Sequence, residues 1–171
     1  SLSTPFDIST ATRCFSDGNG TKLTCSTNMK LPHAIEFKPD GTKMFVATNK
    51  DFSGNPGVAI FQFNLTTAWD SSTLVCEKIY EVTETGVYVE NQLRTLAFKP
   101  DGTRMFVGGK NTDKIRQFDL SNAWDLRSGV TPGEISSSLA TSDTSMRNIQ
   151  FNSDGTALYV AGDTNARMNK Y

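Results

Sequence analysis

Residue types that commonly carry out catalysis are scarce in this chain of 171 residues. Its one histidine, His33, stands between Pro32 and Ala34 at the entry to a predicted strand. No Gly-x-Ser-x-Gly motif accompanies it, so a hydrolase triad has no nucleophile with the expected signature. We therefore predict no catalytic residue.

The aspartates that recur along the chain have a conformational explanation. One set precedes glycine in predicted tight turns, where a carboxylate bonds its own backbone: Asp40, Asp101 and Asp154. A second set closes a repeated phrase and is expected to cap turns: Asp7, Asp70 and Asp125. The sequence has neither an alternating calcium-loop pattern nor the Cys/His spacing of zinc sites. We predict no metal and no cofactor.

Three residues share one position in an internal repeat. His33, Arg94 and Arg147 each lie four residues before a phenylalanine that opens a recurring phrase. Side chains an even number of residues apart lie on one face of a strand, so the three share that face. They predict a basic collar for an anionic ligand such as a carboxylate, a sulfate or an acidic sugar. The alternative is structural, each residue pairing with an aspartate of the adjacent unit.

Two irregular stretches are further candidates for recognition. Residues 50–57 and 83–92 differ most between the repeat units, and loops on a rigid scaffold often bind ligands. Tyr88 is the aromatic candidate for ligand binding in the second stretch; alternatively, these loops only connect strands. Trp69 and Trp124 recur in phase, and we expect them to pack in the core or between units.

The elements that must position these residues are repeated. The phrase Phe-Lys-Pro-Asp-Gly-Thr-Lys-Met-Phe-Val occupies 37–46 and returns in variant form at 98–107 and 151–160. A second phrase, Phe-Asn-Leu-Thr-Thr-Ala-Trp-Asp, occupies 63–70 and returns at 118–125, with a shortened copy at 2–7. Two phrases in fixed order indicate tandem repeats. We predict one domain, 1–171, with units at about 4–63, 64–118 and 119–171.

Each unit has the pattern of antiparallel strands. In the second unit, runs at 94–98 and 103–107 flank an Asp-Gly turn and predict a hairpin, followed by a strand at 114–120. Upstream, 76–82 is expected to supply a fourth strand. The Met-Phe-Val runs are apolar at consecutive positions, so both of their faces should be buried between stacked sheets.

The two phrases together resemble the repeat of bacterial and phage-type β-propellers, distant relatives of the YVTN and NHL-type repeat proteins. The resemblance covers essentially the whole chain. It implies an all-β fold of propeller blades, here three four-stranded antiparallel units. Because propellers serve binding, scaffolding and catalysis alike, it does not select one function.

The two ends of the chain predict self-association. Residues 168–171 align with 115–118, the first half of a strand, and residues 1–3 align with 119–121, its second half. Three blades do not close a ring of four to eight, and an open stack exposes sheet edges. We expect a homodimer that completes a six-bladed ring. The alternative is a fragment of a longer tandem array.

The net charge and the cysteines bear on which partners and which cellular compartment the sequence predicts. The formal net charge of −1 gives no field towards nucleic acid, and no apolar run approaches the roughly 20 residues of a membrane span. Cys14 and Cys25 flank a predicted turn at 17–20 and are expected to form a disulfide, unless both are buried thiols in a reducing compartment. Cys76 has no evident partner and is expected to be a core thiol.

These observations favour a non-enzymatic binding or structural module with an anionic or glycan ligand, part of an extracellular or virion adhesion protein. That location follows from the resemblance and the expected disulfide. An enzyme such as a lyase or hydrolase acting on saccharides is one alternative, and it requires a carboxylate pair near the ring axis. An engineered or excised fragment that self-assembles is another.

Overall fold

The computed structural model describes residues 29, 31–52, 55–82, 90, 92–136, 139, 145–163 and 168–171. Within these ranges the chain is all-β, and one short 3-10 turn at Ser71–Thr73 interrupts its strands. The strands form three antiparallel sheets that follow one another along the chain. The predicted fold class is confirmed.

Each sheet is a meander in which strands adjacent in sequence are adjacent in space. The first sheet has the order β1-β2-β3-β4, formed by Pro32–Phe37, Lys43–Phe52, Asn55–Leu65 and Leu74–Glu81. The second has the order β5-β6-β7-β8, formed by Leu93–Phe98, Arg104–Gly109, Ile115–Asn122 and Asp125–Ile135. The third contains β9, β10 and β11, formed by Met146–Phe151, Leu158–Gly162 and Met168–Lys170.

One detail of the strand prediction is wrong. The strand expected at 76–82 in the second unit is β4, which pairs with β3 and places Cys76 opposite Phe63 in the first sheet. The third sheet has three strands rather than four within the described residues, where only Tyr171 follows β11. The fourth strand of a sheet therefore follows the third in sequence. Both four-stranded sheets extend across the unit boundaries drawn after 63 and after 118.

The same tight turn joins the first two strands of each sheet. In the first sheet, Gly41 has a φ of +72°, a conformation that favours glycine. Asp40 Oδ1 accepts hydrogen bonds from the backbone N–H and the hydroxyl of Thr42, at 2.9 and 2.6 Å. The same two bonds recur from Thr103 to Asp101 and from Thr156 to Asp154. These three carboxylates stabilise turns, as the sequence predicted.

A tryptophan covers two of these turns. Trp124 lies over Gly102, where an added Cβ would be 2.0 Å from the indole Cδ1, and its ring stacks on Phe98 at 4.7 Å. Trp69 covers Gly41 in the same way. However, Trp124 is 6% exposed and Trp69 is 61% exposed. The expected packing between units is therefore confirmed for Trp124 alone.

The apolar core lies between the sheets. Phe45 of the first sheet packs against Phe98 of the second, with ring centroids 4.6 Å apart. Phe106 of the second sheet packs against Phe151 of the third at 4.7 Å. The run 44–46 is buried on both faces, as its consecutive apolar residues predicted. Burial of apolar surface, worth about 25 cal/mol per Å², therefore holds neighbouring sheets together.

The three sheets are arranged around their first strands. β5 contacts β1 on one side and β9 on the other, whereas the fourth strands β4 and β8 meet more sparsely. The first strands thus converge while the fourth strands spread apart. This is the radial arrangement of propeller blades.

Candidate functional site

The candidate site is a cavity of about 710 Å³ where the first strands converge, which we call the collar cavity. β1 contributes His33 and Glu36 to its lining, β5 contributes Arg94, and β9 contributes Arg147 and Asn148. The three residues that the sequence placed at one repeat position therefore line a single cavity.

His33 and Arg94 are in contact across the junction between the first two sheets. Arg94 Nη1 lies 2.9 Å from His33 Nδ1 and 3.2 Å from Nε2, and the amide of Asn49 lies 2.9 Å from Nε2. A guanidinium only donates hydrogen bonds, so the imidazole accepts from Arg94, with Nδ1 at the shorter distance. Nδ2 of Asn49 is the atom that faces Nε2, and Asn49 Oδ1 is buried without a hydrogen-bond partner among the described residues.

The surroundings of His33 favour the neutral form of its ring. Burial is the largest cause that lowers its pKa, and the positive charges of Arg94 and Arg147 lower it further. A protonated imidazole would add a third cation to the collar and could no longer accept the bond from Arg94. The surroundings therefore disfavour a positive charge on His33.

Arg94 has polar partners but no counter-charge. Its Nη2 donates to Gln92 Oε1 at 2.9 Å, and its Nε is buried without a hydrogen-bond partner. Within the described ranges, no carboxylate pairs with Arg94. Arg94 thus brings an uncompensated positive charge to the collar cavity.

The other basic residues that line the cavity are neutralised within their own sheets. Arg147 Nε donates to Asp163 Oδ2 at 2.6 Å, and its Nη2 donates to the same oxygen. Two further pairs, each at 2.7 Å, are Lys99–Asp101 and Arg104–Asp119. Asp163 follows β10 in the sheet of Arg147, so the predicted pairing with an aspartate of the adjacent unit is wrong for both arginines in the described part of the chain.

Two acidic residues, Glu36 and Asp154, line the same cavity. Burial raises the pKa of Glu36. Hydrogen bonds from the hydroxyl and the backbone N–H of Thr156 lower the pKa of Asp154. The cavity therefore combines one uncompensated arginine with a carboxyl group that is harder to ionise and one that is easier to ionise.

Sequence reasoning missed three residues of the site: Asn49, Gln92 and Glu36. Antiparallel pairing about the Asp-Gly turn places Asn49 beside the start of β1, so the hairpin register could have found it. Gln92 precedes Arg94 by two residues, the spacing of one strand face. Glu36 has no counterpart of its type, since Ala97 and Gln150 stand at the same repeat position, so the repeat gave no signal for it.

Three predicted residues, Tyr88, Cys14 and Cys25, lie outside the described residues, and their roles stay predictions. Cys76, expected to be a free core thiol, is disulfide-bonded. That expectation was wrong because spacing along the chain does not reveal which cysteines meet in the folded protein. The chain has three cysteines, so a disulfide at Cys76 competes with the predicted Cys14–Cys25 pair.

Among the described residues, no three His, Cys, Asp or Glu side chains are grouped so that they could hold a metal ion. No helix in those ranges has the length and apolar character needed to cross a membrane.

Solved structures share this architecture at low sequence identity. The hydrazine synthase of Kuenenia stuttgartiensis superposes with a TM-score of 0.58 at 13% identity over 84% of this chain. A protein from Lactobacillus plantarum gives 0.53 at 19% identity over 82%. A candidate 6-phosphogluconolactonase from Bacteroides fragilis gives 0.51 at 15% identity over 81%. At these identities the likeness concerns the fold alone.

The three sheets are blades of a propeller-like fold. This chain covers 45%, 40% and 40% of the three solved chains, less than half of each. No protein-family model matches the sequence, and no curated protein matches it. The architecture is therefore established, while the YVTN or NHL type of the repeat stays a prediction.

Proposed function

We propose that this chain is a non-enzymatic binding module that holds a small anion or an acidic glycan in the collar cavity. The observation that carries the proposal is the charge of Arg94, which lines the cavity without a carboxylate partner in the described ranges. A partly buried guanidinium without a counter-charge is less favourable than a paired one. A bound carboxylate or sulfate would remove that cost.

Polar side chains on the third sheet favour a sugar acid over a simple ion. Asn148, Gln150, Asn152 and Ser153 line the same cavity. Amides and hydroxyls both donate and accept hydrogen bonds, which suits sugar hydroxyls, whereas a guanidinium suits a carboxylate or a sulfate. The volume of about 710 Å³ lies in the range of small-molecule sites. An acidic monosaccharide or a short acidic oligosaccharide combines these features.

Isothermal titration calorimetry with glucuronate, and with glucose as its neutral counterpart, tests the proposal. We expect binding of glucuronate and not of glucose. Arg94→Gln should weaken glucuronate binding at least about tenfold, since a charge-assisted hydrogen bond is worth roughly 1.5–3 kcal/mol.

Lys78→Gln is the matched control. Lys78 is exposed on the outer strand β4 and does not line the cavity, so its removal changes net charge equally without touching the site. Equal affinities of the two variants, with both folded, would refute Arg94 as the anion ligand. Absence of binding to glucuronate and to sulfate would refute the proposed function.

A saccharide lyase or hydrolase is the second candidate, and one observation favours it. Glu36 and Asp154 line one cavity and their pKa values are shifted in opposite directions, which is the pattern of an acid and a base with separate roles. Against it, Asp154 Oδ1 is occupied by Thr156 in the turn. If the protein cleaves an acidic oligosaccharide and Glu36→Gln abolishes that cleavage, the protein is this enzyme and not a binding module.

We also propose a second copy of the chain as the protein partner, completing a six-bladed ring, and an extracellular or virion-associated location in an adhesion protein. The disulfide at Cys76 supports such a location, because disulfides persist in oxidising compartments. The coverage of the solved structures, at most 45%, supports a ring that needs further blades. An engineered or excised fragment would self-associate for the same physical reason.

A further inference from the structure

We infer that Lys110 and Arg94 form a two-cation site at the collar, which selects saccharides with two neighbouring anionic groups, such as a sulfated uronic acid. The inference rests on the proposed function, because it names the class of ligand that the same site takes. It also gives a role to an exposed lysine that lies outside the lining of the collar cavity.

Each collar residue occupies a β-bulge at the start of the first strand of its sheet. The register between the first and second strands skips one residue in each sheet, and the skipped residues are His33, Arg94 and Arg147. A bulge leaves its extra residue unpaired in the ladder and changes the direction of that side chain. The same backbone irregularity therefore presents all three collar side chains.

A second repeat position lies beside the collar residues. The backbone N–H at 49, 110 and 163 donates to the carbonyl oxygen two residues before the collar residue of the same sheet, at 3.3, 3.1 and 3.1 Å. In two sheets this position also supplies a side-chain partner. The amide of Asn49 lies 2.9 Å from His33 Nε2, and Asp163 Oδ2 accepts from Arg147 Nε at 2.6 Å.

The second sheet has a lysine at this position. The Lys110 N–H donates to the carbonyl oxygen of Gln92 at 3.1 Å, and Arg94 Nη2 donates to the side chain of Gln92 at 2.9 Å. Two cationic residues are therefore bonded to one neutral residue. Lys110 is exposed and forms no ion pair within the described part of the chain. The position that neutralises Arg147 in the third sheet thus adds a second positive charge beside Arg94.

A buried carboxylate fixes this arrangement. Glu90 is fully buried, and its Oε1 accepts from the Gln92 N–H at 2.7 Å. Its Oε2 accepts from the N–H groups of Asn111 and Thr112, at 3.0 and 3.2 Å, and from the Thr112 hydroxyl at 3.3 Å. These bonds tie the residues that follow Lys110 to the start of β5. All four donors are neutral, so Glu90 anchors the backbone and forms an ion pair with neither cation.

The two cations differ in what they bind. The planar guanidinium of Arg94 suits a carboxylate or a sulfate, whereas the ammonium of Lys110 is a point charge on a flexible chain. Because Lys110 is exposed and does not line the cavity, it is available to a second anionic group of a ligand whose first group Arg94 holds. A uronic acid with a sulfate ester offers two such groups on one sugar. A sugar with one carboxylate leaves Lys110 unpaired.

Calorimetry with two matched disaccharides tests the inference. Each joins an unsaturated uronic acid to N-acetylglucosamine, and one of them also carries a sulfate at O2 of the uronic acid. We expect the wild type to bind the sulfated disaccharide about three- to fivefold more tightly, which is the range for an exposed ion pair. Lys110→Gln should remove this preference, whereas Lys78→Gln, on the outer strand β4, should keep it.

Lys110→Asp is the sharper variant, because it gives the second sheet the residue that stands in the third. The new carboxylate should pair with Arg94 as Asp163 pairs with Arg147. Both disaccharides should then bind at least about tenfold more weakly, since the guanidinium is already occupied. Thermal denaturation should show that all of these variants are folded, because position 110 is exposed.

The outcomes separate this inference from the proposed function. Equal wild-type affinities for the two disaccharides, or a preference that survives Lys110→Gln, would overturn the two-cation site while anion binding at Arg94 stands. Unchanged affinities in folded Lys110→Asp would show that position 110 does not face Arg94, and would overturn the site as well. A wild type that binds neither disaccharide nor glucuronate overturns the proposed function itself, and the inference with it.

Discussion

Arg94 Nη1 donates a hydrogen bond to His33 Nδ1 over 2.9 Å, and this bond joins the inner strands of two blades. The bond requires a neutral imidazole, since protonation of Nδ1 would remove the acceptor and set two cations side by side. The junction that holds the collar cavity together is therefore sensitive to the charge of one side chain.

Acidification should destabilise the fold through His33. Its pKa in the folded chain is below the ordinary value of 6.5, so the unfolded chain binds the proton first as the pH falls. In that range the unfolded state holds more protons, and the free energy of unfolding decreases with decreasing pH. The stabilisation is complete above about pH 6.5 and is lost below it.

Denaturant midpoints at pH 7.5 and 5.5 check this prediction. The wild type should lose more stability between the two values than His33→Gln, which has no imidazole to protonate. Turn carboxylates such as Asp40, whose pKa is about 2, do not titrate in this window. An equal loss in both proteins would assign the pH dependence to other groups.

Alanine should destabilise the protein more at the glycine of a turn covered by tryptophan than at the glycine of the uncovered turn. Gly102→Ala brings a Cβ within 2.0 Å of the Trp124 ring at a φ of +75°, whereas Gly155→Ala has a φ of +73° and nothing within 4 Å. Both substitutions should lower the free energy of unfolding by about 1–2 kcal/mol because alanine disfavours the left-handed backbone. Gly102→Ala should lower it by about 1–3 kcal/mol more because its Cβ overpacks against the indole ring. Thermal denaturation measures the difference. Equal losses would contradict the packing of Trp124 over this turn.

Gln62 should stabilise the first junction, and Gln117 at the same repeat position is its control. Gln62 is fully buried and accepts a 2.6 Å bond from the Leu126 N–H across the junction. Gln62→Ala leaves that buried donor unsatisfied and should cost about 1–3 kcal/mol. Gln117 has one long bond to Asp119 in its own sheet, so Gln117→Ala should cost less than about 0.5 kcal/mol. Similar unfolding free energies for the two variants would argue against this bridge.

Reduction of the disulfide at Cys76 should destabilise the first sheet. Cys76 lies on β4 and packs against the buried apolar cluster that contains Phe61 and Phe63, and disulfides typically contribute about 2–4 kcal/mol. Peptide mapping under non-reducing conditions should recover Cys76 linked to Cys14 or Cys25. A Cys76 peptide that is fully alkylated without reduction would contradict the bond.

The repeat made the blades predictable, since strands, turns and buried faces follow from local residue types. The Asp-Gly turns, the burial of 44–46 on both faces and the shared cavity of His33, Arg94 and Arg147 all follow from phase and alternation. The pairing of β4 was not predictable in this way, because a strand between two repeats can join either sheet. Tertiary contact alone decides it.

The hydrogen-bond partners of Arg94 and Arg147 could not be predicted from the sequence. Arg147 pairs with Asp163 in its own sheet, and Arg94 meets His33 of the neighbouring sheet. Both contacts depend on how far the sheets are rotated relative to one another, which residue spacing does not encode. The exposure of Trp69 is also a tertiary property, since its sequence context matches that of the buried Trp124.

The most direct test of the account is a titration of the His33 ring signals with glucuronate, followed by NMR. The chain has one histidine, so its resonances report on the collar without ambiguity. An anion beside Arg94 should shift these signals in a saturable manner and raise the pKa of His33, because it offsets the arginine charge. Glucose should leave them unchanged. Signals of His33 that do not respond to glucuronate, while the protein remains folded, would contradict an anion site at the collar.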